Sequence, residues 1–141
     1  PATAAAQALN LDKFAVRKPR VLLVEDNPVN LMVGQRLLGV LGITCDTASN
    51  GEAALLRIAA SRYDIVLMDC QMPVMDGYSA TRIIRGGTPG QATPSDVPII
   101  ALTANADKQE WARCIEAGMN ECMLKPFNRL VLVKRVLFYV V

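Results

Sequence analysis

The stretch Val21-Leu-Leu-Val-Glu-Asp-Asn-Pro28 joins an apolar strand to the start of a helix. Four apolar residues in a row predict a strand that is buried on both faces, and Glu25 and Asp26 end it abruptly. Asn27 suits the N-cap of a helix, and Pro28 suits its first position. A strand that leads directly into a helix is the repeating unit of parallel sheets, so this stretch predicts an α/β fold.

The same order of strand and helix occurs five times along the chain. Predicted strands cover 21–24, 43–48, 64–68, 97–102 and 121–124, and predicted helices start near 27, 50, 76, 106 and 128. The predicted apolar face of the first helix consists of Leu31, Val33, Leu37, Leu38 and Leu41. Five such units in this length predict a flavodoxin-like doubly wound parallel sheet with the strand order 2-1-3-4-5. The segment 86–96, rich in Gly, Pro, Thr and Ser, is the predicted mobile loop.

Length and composition predict one domain with a buried core. The chain has 141 residues, of which 52% are hydrophobic and 20% are charged. Residues 1–19, which are rich in alanine and could include a short helix over 4–14, are predicted to be a linker or the end of a preceding segment. Residues 20–141 are predicted to form the domain.

Charge and hydropathy exclude several classes of partner. A net charge of +2 without a Lys/Arg run predicts no nucleic-acid binding. No apolar run reaches the length of a membrane span, and the start of the chain lacks the basic region of a signal peptide, so we expect no membrane contact by this segment. We expect a cytoplasmic protein, or the cytoplasmic part of a membrane-bound one.

The histidine and cysteine content limits the kinds of catalytic and metal site that this segment can form. The chain contains no histidine, which excludes a Ser-His-Asp catalytic triad and a phosphorylated histidine within this segment. The four cysteines, none of them in a C-x-x-C pair, are Cys45, Cys70, Cys114 and Cys122. Their spacing argues against a zinc site, and we expect reduced, buried thiols.

Polar residues follow four of the five predicted strands. Glu25 and Asp26 follow the first strand, Asp69 the third, Thr103 the fourth and Lys125 the fifth. Any one of them alone could be an ordinary loop or cap residue. Because sites in open parallel sheets form beyond the carboxyl ends of the strands, we expect these five side chains to converge.

This combination predicts phosphoryl transfer to a carboxylate. Clustered carboxylates repel one another and therefore favour a hard divalent cation, Mg²⁺ or Mn²⁺. The cation neutralises charge on the transferring group, while one carboxylate remains free to act as nucleophile. A lysine and a hydroxyl supply the remaining contacts to the phosphoryl oxygens.

These motifs resemble those of the receiver domains of response regulators, and they are most similar to the receivers of hybrid sensor histidine kinases. The resemblance covers residues 20–138 and is carried by four segments in the family's order: 21–30, Met68-Asp-Cys-Gln-Met-Pro-Val-Met-Asp-Gly77, Leu102-Thr-Ala-Asn105 and Lys125-Pro126-Phe127. It implies a phosphohistidine donor, either a histidine kinase or a histidine phosphotransfer domain. The domain would catalyse only its own phosphorylation and dephosphorylation, while a parent chain could be a histidine kinase.

The resemblance also implies a role for each matched residue. Asp69 is the implied phosphoacceptor, and Thr103 and Lys125 are implied contacts to the phosphoryl group. The implied metal ligands are Asp26 directly, Glu25 mainly through water, Asp69, and the backbone carbonyl of Gln71. The bond between Lys125 and Pro126 is expected to be cis, and Asp76 is expected to cap a helix.

One position departs from the family pattern. Three residues before the lysine, receivers usually carry an aromatic switch residue, and this chain has Cys122. The departure favours a relay or docking role over a conformational output. A degenerate receiver used only for protein binding is an alternative, although the intact acids, threonine and lysine argue against it.

Other functions fit the residues less well. A phosphatase of the haloacid-dehalogenase type would need an acid at position 71, which is Gln71. A flavin carrier would need a phosphate loop where Glu25 and Asp26 would repel the phosphate. A stand-alone response regulator is the alternative to a domain of a hybrid kinase. The apolar last helix favours a homodimer surface over the cut end of a longer chain.

Overall fold

The computed structural model describes residues 19–126 and 128–140. The predicted linker at 1–19, except for its last residue, therefore lies outside the described residues, and so does Phe127 at the end of the fourth motif. The described elements alternate strictly between strand and helix. In chain order they are β1 (Arg20–Val24), α1 (Pro28–Val40), β2 (Thr44–Ala48), α2 (Gly51–Ala60), β3 (Ile65–Asp69), α3 (Gly77–Gly86), β4 (Ile99–Thr103), α4 (Lys108–Ala117), β5 (Glu121–Leu124) and α5 (Arg129–Val140).

The five strands form one parallel sheet in the order β2-β1-β3-β4-β5. The predicted fold and strand order are therefore confirmed. Every residue of β3 and β4 is buried, as expected for central strands that are covered on both faces.

Short polar side chains start the helices where the sequence predicted them. The Asn27 side chain accepts hydrogen bonds from two backbone N–H groups of the first turn of α1. Asn50 and Asp76 accept one each at the starts of α2 and α3. Each cap satisfies N–H groups that would otherwise lack a partner at the helix end, and so fixes where the chain turns away from the sheet.

Two apolar cores lie on opposite faces of the sheet. Leu22 and Val24 of β1 point into the core under α2, α3 and α4, whereas Val21 and Leu23 point into the core under α1 and α5. This follows from the alternation of side chains along a strand. The helices after β1 and β3, which are α1 and α3, therefore lie on opposite faces and leave a crevice between the ends of these two strands.

One residue of the predicted helix face is placed wrongly. Val33 is 41% exposed, although Leu38 in the same helix is fully buried. Val33 lies two residues after Leu31, and two residues of α-helix turn through about 200°. Its side chain therefore points away from the sheet.

The second half of the segment 86–96 is anchored to the rest of the domain. The Thr93 hydroxyl is buried and accepts a hydrogen bond from the backbone N–H of Tyr63 at 3.0 Å. Arg85 donates to the carbonyl oxygens of Ser95 at 2.8 Å and Val97 at 2.5 Å. These contacts restrain the loop, and its mobility stays a prediction.

The last helix has a buried and an exposed side. Leu132 and Val136 are buried against the sheet, whereas Leu130 and Phe138 are 64% and 74% exposed. Self-association through the exposed side stays a prediction. None of the helices in the described part of the chain has both the length and the hydrophobicity needed to cross a bilayer.

Gly77 lets α3 start against the end of β3, which yields a testable prediction. A Cβ atom at this position would lie 2.1 Å from the carbonyl oxygen of Asp69, whereas one at Gly39 in α1 would meet nothing within 4 Å. We expect Gly77→Ala to lower the free energy of unfolding by about 3 kcal/mol or more, because the clash is with backbone.

The matched control is Gly39→Ala, which should raise stability by up to about 1 kcal/mol, since alanine is the better helix former. Urea unfolding of the two variants measures both effects. Equal stability of Gly77→Ala and the unsubstituted protein would contradict the close approach of α3 to β3.

Candidate functional site

The five predicted site residues lie together at the carboxyl ends of the strands. Asp69 and Thr103 are the last residues of β3 and β4. Glu25 follows β1 directly, and Lys125 follows β5 directly. Because all strands run in the same direction, these positions meet at one edge of the sheet, at the crevice where α1 and α3 diverge.

Three carboxylates form an acidic cluster in this crevice. Oxygen atoms of Glu25, Asp26 and Asp69 lie within 4.8 Å of one another. Glu25 is fully buried and Asp69 is 2% exposed, whereas Asp26 is open to solvent. The backbone N–H of Asn27 donates a hydrogen bond to Glu25 Oε1 at 3.2 Å, which holds the buried carboxylate in place.

Lys125 contacts both buried carboxylates. Its Nζ atom lies 3.2 Å from Glu25 Oε2 and 3.1 Å from Asp69 Oδ2. Burial opposes the charged ammonium, but the two carboxylates outweigh burial and raise the pKa of Lys125 above its ordinary value. One ammonium against three carboxylates leaves two negative charges in the crevice, which is the charge that a divalent cation would neutralise.

Asp69 combines burial with incomplete hydrogen bonding. Its Oδ1 accepts a hydrogen bond from the backbone N–H of Gln71 at 3.2 Å. Its Oδ2 is buried, and no described group donates to it with hydrogen-bond geometry, so the contact with Lys125 is an ion pair only. Burial raises the pKa of Asp69 to about 6 and the charge of Glu25 adds to the increase, while Lys125 and the Gln71 N–H oppose it.

A cavity of about 280 Å³ opens directly above Asp69. Its wall includes all the predicted site residues except the buried Glu25: Asp26, Asp69, Gln71, Thr103 and Lys125. The Thr103 hydroxyl is held at the rim by hydrogen bonds with the backbone of Asn105. The expected cis bond between Lys125 and Pro126 is present.

Two further side chains on the same cavity wall could ligate a metal but lie outside the predicted site. Cys70 is predicted only as a buried thiol, and no sequence motif includes Glu110; both line the cavity. Cys70 follows Asp69 directly, which is a local signal that could have been used. Glu110 reaches the cavity only through the packing of α4, and its sequence context gives no such signal.

The donor atoms of the acidic cluster fit a small, hard cation. They are carboxylate oxygens, one of which, Asp69 Oδ2, lacks a hydrogen-bond donor among the described residues. Oxygen donors at this spacing suit Mg²⁺ or Mn²⁺ and do not suit a cation that prefers sulfur.

Comparison with known proteins identifies the family. The model of the family described as "Response regulator receiver domain" matches residues 21–137. Hybrid signal transduction histidine kinase B of Dictyostelium discoideum is 41% identical over 116 residues, which is 77% of this chain and 6% of that protein. Sensor protein GacS of Pseudomonas syringae pv. syringae is 40% identical over 121 residues, 86% of this chain and 13% of that protein. The chain thus spans only a small part of these relatives.

Solved structures of receiver domains resemble this chain in both fold and sequence. The receiver domain of sensor histidine kinase PA1611 from Pseudomonas aeruginosa PAO1, solved with magnesium coordinated in its active-site cleft, is 46% identical. Its TM-score is 0.75, with 86% of this chain and 97% of that chain covered. The receiver domain of Ssk1 from Saccharomyces cerevisiae, solved with the phosphotransfer protein Ypd1, is 30% identical. Its TM-score is 0.78, with 87% and 89% covered.

The fold, the residues at the strand ends and the matched family all lead to one assignment. The chain belongs to the family of response regulator receiver domains.

Proposed function

We propose that this domain accepts a phosphoryl group on Asp69 from a phosphohistidine donor, in a reaction that requires Mg²⁺ or Mn²⁺. The observation that carries the proposal is the pairing of a buried carboxylate at the end of the central strand with two further carboxylates and one ammonium. A stand-alone response regulator, or a protein-binding receiver that switches weakly, is the alternative.

The proposed transfer is a single displacement at phosphorus. An oxygen of the Asp69 carboxylate attacks the phosphorus atom, and the bond between phosphorus and the donor imidazole nitrogen breaks. The electron pair of that bond stays on the imidazole nitrogen, which takes a proton. The product is an acyl phosphate on Asp69, and burial of this residue keeps the reacting oxygen away from bulk water.

Each neighbour of Asp69 has a proposed part in this step. Asp26, Asp69 and the carbonyl of Gln71 would hold the cation, with Glu25 acting mainly through water. When bound, the cation neutralises charge on the phosphoryl oxygens. Lys125, which already contacts Asp69 Oδ2 at 3.1 Å, would pair with a phosphoryl oxygen, and Thr103 would donate its hydroxyl hydrogen to another.

An exposed apolar patch beside the acidic cluster supports a protein donor. Val29, Met32 and Val33 of α1 are 60%, 46% and 41% exposed, and α1 begins two residues after Asp26. Apolar side chains of this size at the mouth of a site suit docking of another protein. We propose a histidine phosphotransfer domain or a histidine kinase as the partner, in line with the Ssk1 complex.

The setting of the domain is part of the same proposal. The relatives support placement within a hybrid sensor histidine kinase, whose kinase activity would reside in other domains. All four cysteines are free thiols, which supports a cytoplasmic location.

The first prediction from the proposed function concerns the phosphoacceptor. Incubation with acetyl phosphate and Mg²⁺ should add one phosphoryl group to the intact mass, and Asp69→Asn should abolish this adduct because an amide is not nucleophilic at this step. Asp96→Asn, which removes an exposed carboxylate, is the control and should leave labelling unchanged. Undiminished labelling of a folded Asp69→Asn protein would mean that another residue is the acceptor.

The second prediction concerns pH. Because burial raises the pKa of Asp69 to about 6, a proton competes with the cation below that pH and has left the carboxylate above it. The Kd for Mg²⁺, measured by calorimetry, should increase towards tenfold per pH unit below about pH 6 and level off above it.

Asp69→Asn provides the reference for this titration. It should bind Mg²⁺ more weakly and show a much flatter dependence on pH, because the titrating carboxylate is gone. The same pH dependence in the variant as in the unsubstituted protein would show that a different group competes with the cation.

The third prediction concerns the donor surface. Met32→Asp should slow phosphoryl transfer from phosphorylated Ypd1 by about tenfold or more, since a charge would be buried in the docked complex. Labelling by acetyl phosphate should not change. Ile115→Asp in α4, at a similarly exposed position on the other face of the sheet, is the matched control and should not slow transfer. Equal transfer rates in the two variants would contradict docking on α1.

A further inference from the structure

Three of the four cysteines meet behind the acidic cluster. Cys70 follows the last residue of β3, Cys114 lies in α4 and Cys122 lies in β5. All three are buried and belong to the same apolar core. The Sγ atoms of Cys70 and Cys114 lie 3.9 Å apart, although these residues are 44 positions apart in the chain.

Glu110 brings a carboxylate to the same place. It lies one helical turn before Cys114, and its Oε1 atom is 3.9 Å from Cys114 Sγ. One ligand atom from each of Cys70, Glu110 and Cys114 lies within 4.8 Å of the other two. The carboxylate is oriented by a hydrogen bond from the Tyr78 hydroxyl in α3.

We propose that Cys70, Cys114 and Glu110 form a second metal site, for a divalent cation that prefers sulfur, such as Zn²⁺. Zinc–sulfur bonds of about 2.3 Å in a tetrahedron place two sulfur atoms about 3.8 Å apart, close to the separation that Cys70 and Cys114 show. Each thiol releases its proton as its metal–sulfur bond forms. The site does not depend on the proposed phosphoryl transfer.

The same distances argue against a disulfide between Cys70 and Cys114. A disulfide bond is about 2.05 Å long, so the two sulfur atoms would have to approach by about 1.9 Å from their present positions. Metal ligation needs little change in the separation of the two sulfur atoms.

The cavity above Asp69 offers a route to this second site. Cys70 and Glu110 line the same cavity as Asp26 and Asp69, so the cavity extends from the acidic cluster to two of the three proposed ligands. The two clusters differ in their donor atoms, which are oxygen in one and mainly sulfur in the other. Hard cations such as Mg²⁺ should therefore bind the acidic cluster, and cations that prefer sulfur should bind the second site.

Occupancy would link the phosphoacceptor segment to α4. Cys70 is covalently next to Asp69, while Cys114 and Glu110 belong to α4. Cys122 of β5 lies in the same core cluster as both cysteines. A bound ion would thus hold α4 against the end of β3.

Cobalt is the probe that tests the proposal, because Co²⁺ takes zinc sites and reports its ligands by absorption. The purified domain, reduced with a phosphine and saturated with Mg²⁺ to fill the acidic cluster, is titrated with Co²⁺ and then with Zn²⁺. We expect one equivalent of Co²⁺ to give the charge-transfer absorption of thiolate ligands, and Zn²⁺ to abolish it. Absorption typical only of oxygen ligands, or none, would overturn the proposal.

Variants assign the ligands. Cys70→Ala and Cys114→Ala should each abolish the thiolate absorption, whereas Cys45→Ala, which changes a cysteine in β2 outside the cluster, should retain it. Glu110→Gln changes a half-buried residue, so it should fold, and its Kd for Co²⁺ should rise at least tenfold. Circular dichroism verifies that each variant is folded.

Two results in the variants would contradict the site even if the unsubstituted protein binds Co²⁺ through sulfur. One is thiolate absorption that persists in folded Cys70→Ala or Cys114→Ala. The other is an unchanged Kd for Co²⁺ in Glu110→Gln. This second measurement is sufficient on its own if the cysteine variants fail to fold. Asp26→Asn is a further control that should leave the thiolate absorption intact, since it alters only the acidic cluster.

Discussion

Two buried carboxylates, Glu25 and Asp69, share the single ammonium of Lys125, and much of this molecule can be understood from that imbalance. Each is almost completely removed from water, and each lies about 3 Å from Nζ. Burial of a carboxylate is costly unless it is paired and hydrogen-bonded, and the two N–H groups and one ammonium provided here do not neutralise the site. The remaining negative charge favours the binding of a divalent cation at this site.

The doubly wound fold is what allows such a cluster to exist. Parallel strands bring residues from distant segments to one edge, and the divergence of α1 and α3 leaves that edge open. Apolar side chains on both faces of β3 supply the stability that a charged site does not. The close approach of Gly77 to Asp69 then fixes the path of the chain immediately after this carboxylate.

The sequence predicted most of the fold because the signals are local. Apolar runs, Asn and Asp caps and glycine stops mark the elements, and the order of strands follows from their number and kind. The five residues of the predicted site converge for the same reason, since each lies at or just beyond the carboxyl end of a strand. Side-chain facing in α1 was harder to predict: Val33 is apolar and was assigned to the core, but its angular position on the helix exposes it.

Contacts that depend on how helices pack could not be read from the sequence. The spacing of the cysteines argued against zinc, yet Cys70 and Cys114 meet because α4 packs over the end of β3. The double contact of Lys125 with two carboxylates, and the anchoring of the 86–96 loop by Thr93, likewise require coordinates. A local sequence pattern predicts which strand end a side chain occupies. It does not predict which residue, 30 or 100 positions away in the chain, that side chain contacts.

Anomalous X-ray scattering from crystals grown with Mn²⁺ locates the cation without reference to activity. We expect one strong peak in the crevice, bonded to carboxylate oxygens of Asp26 and Asp69 and to the carbonyl of Gln71 at roughly 2.1–2.2 Å. A fully occupied Mn²⁺ site elsewhere, with Asp69 still paired only with Lys125, would contradict it.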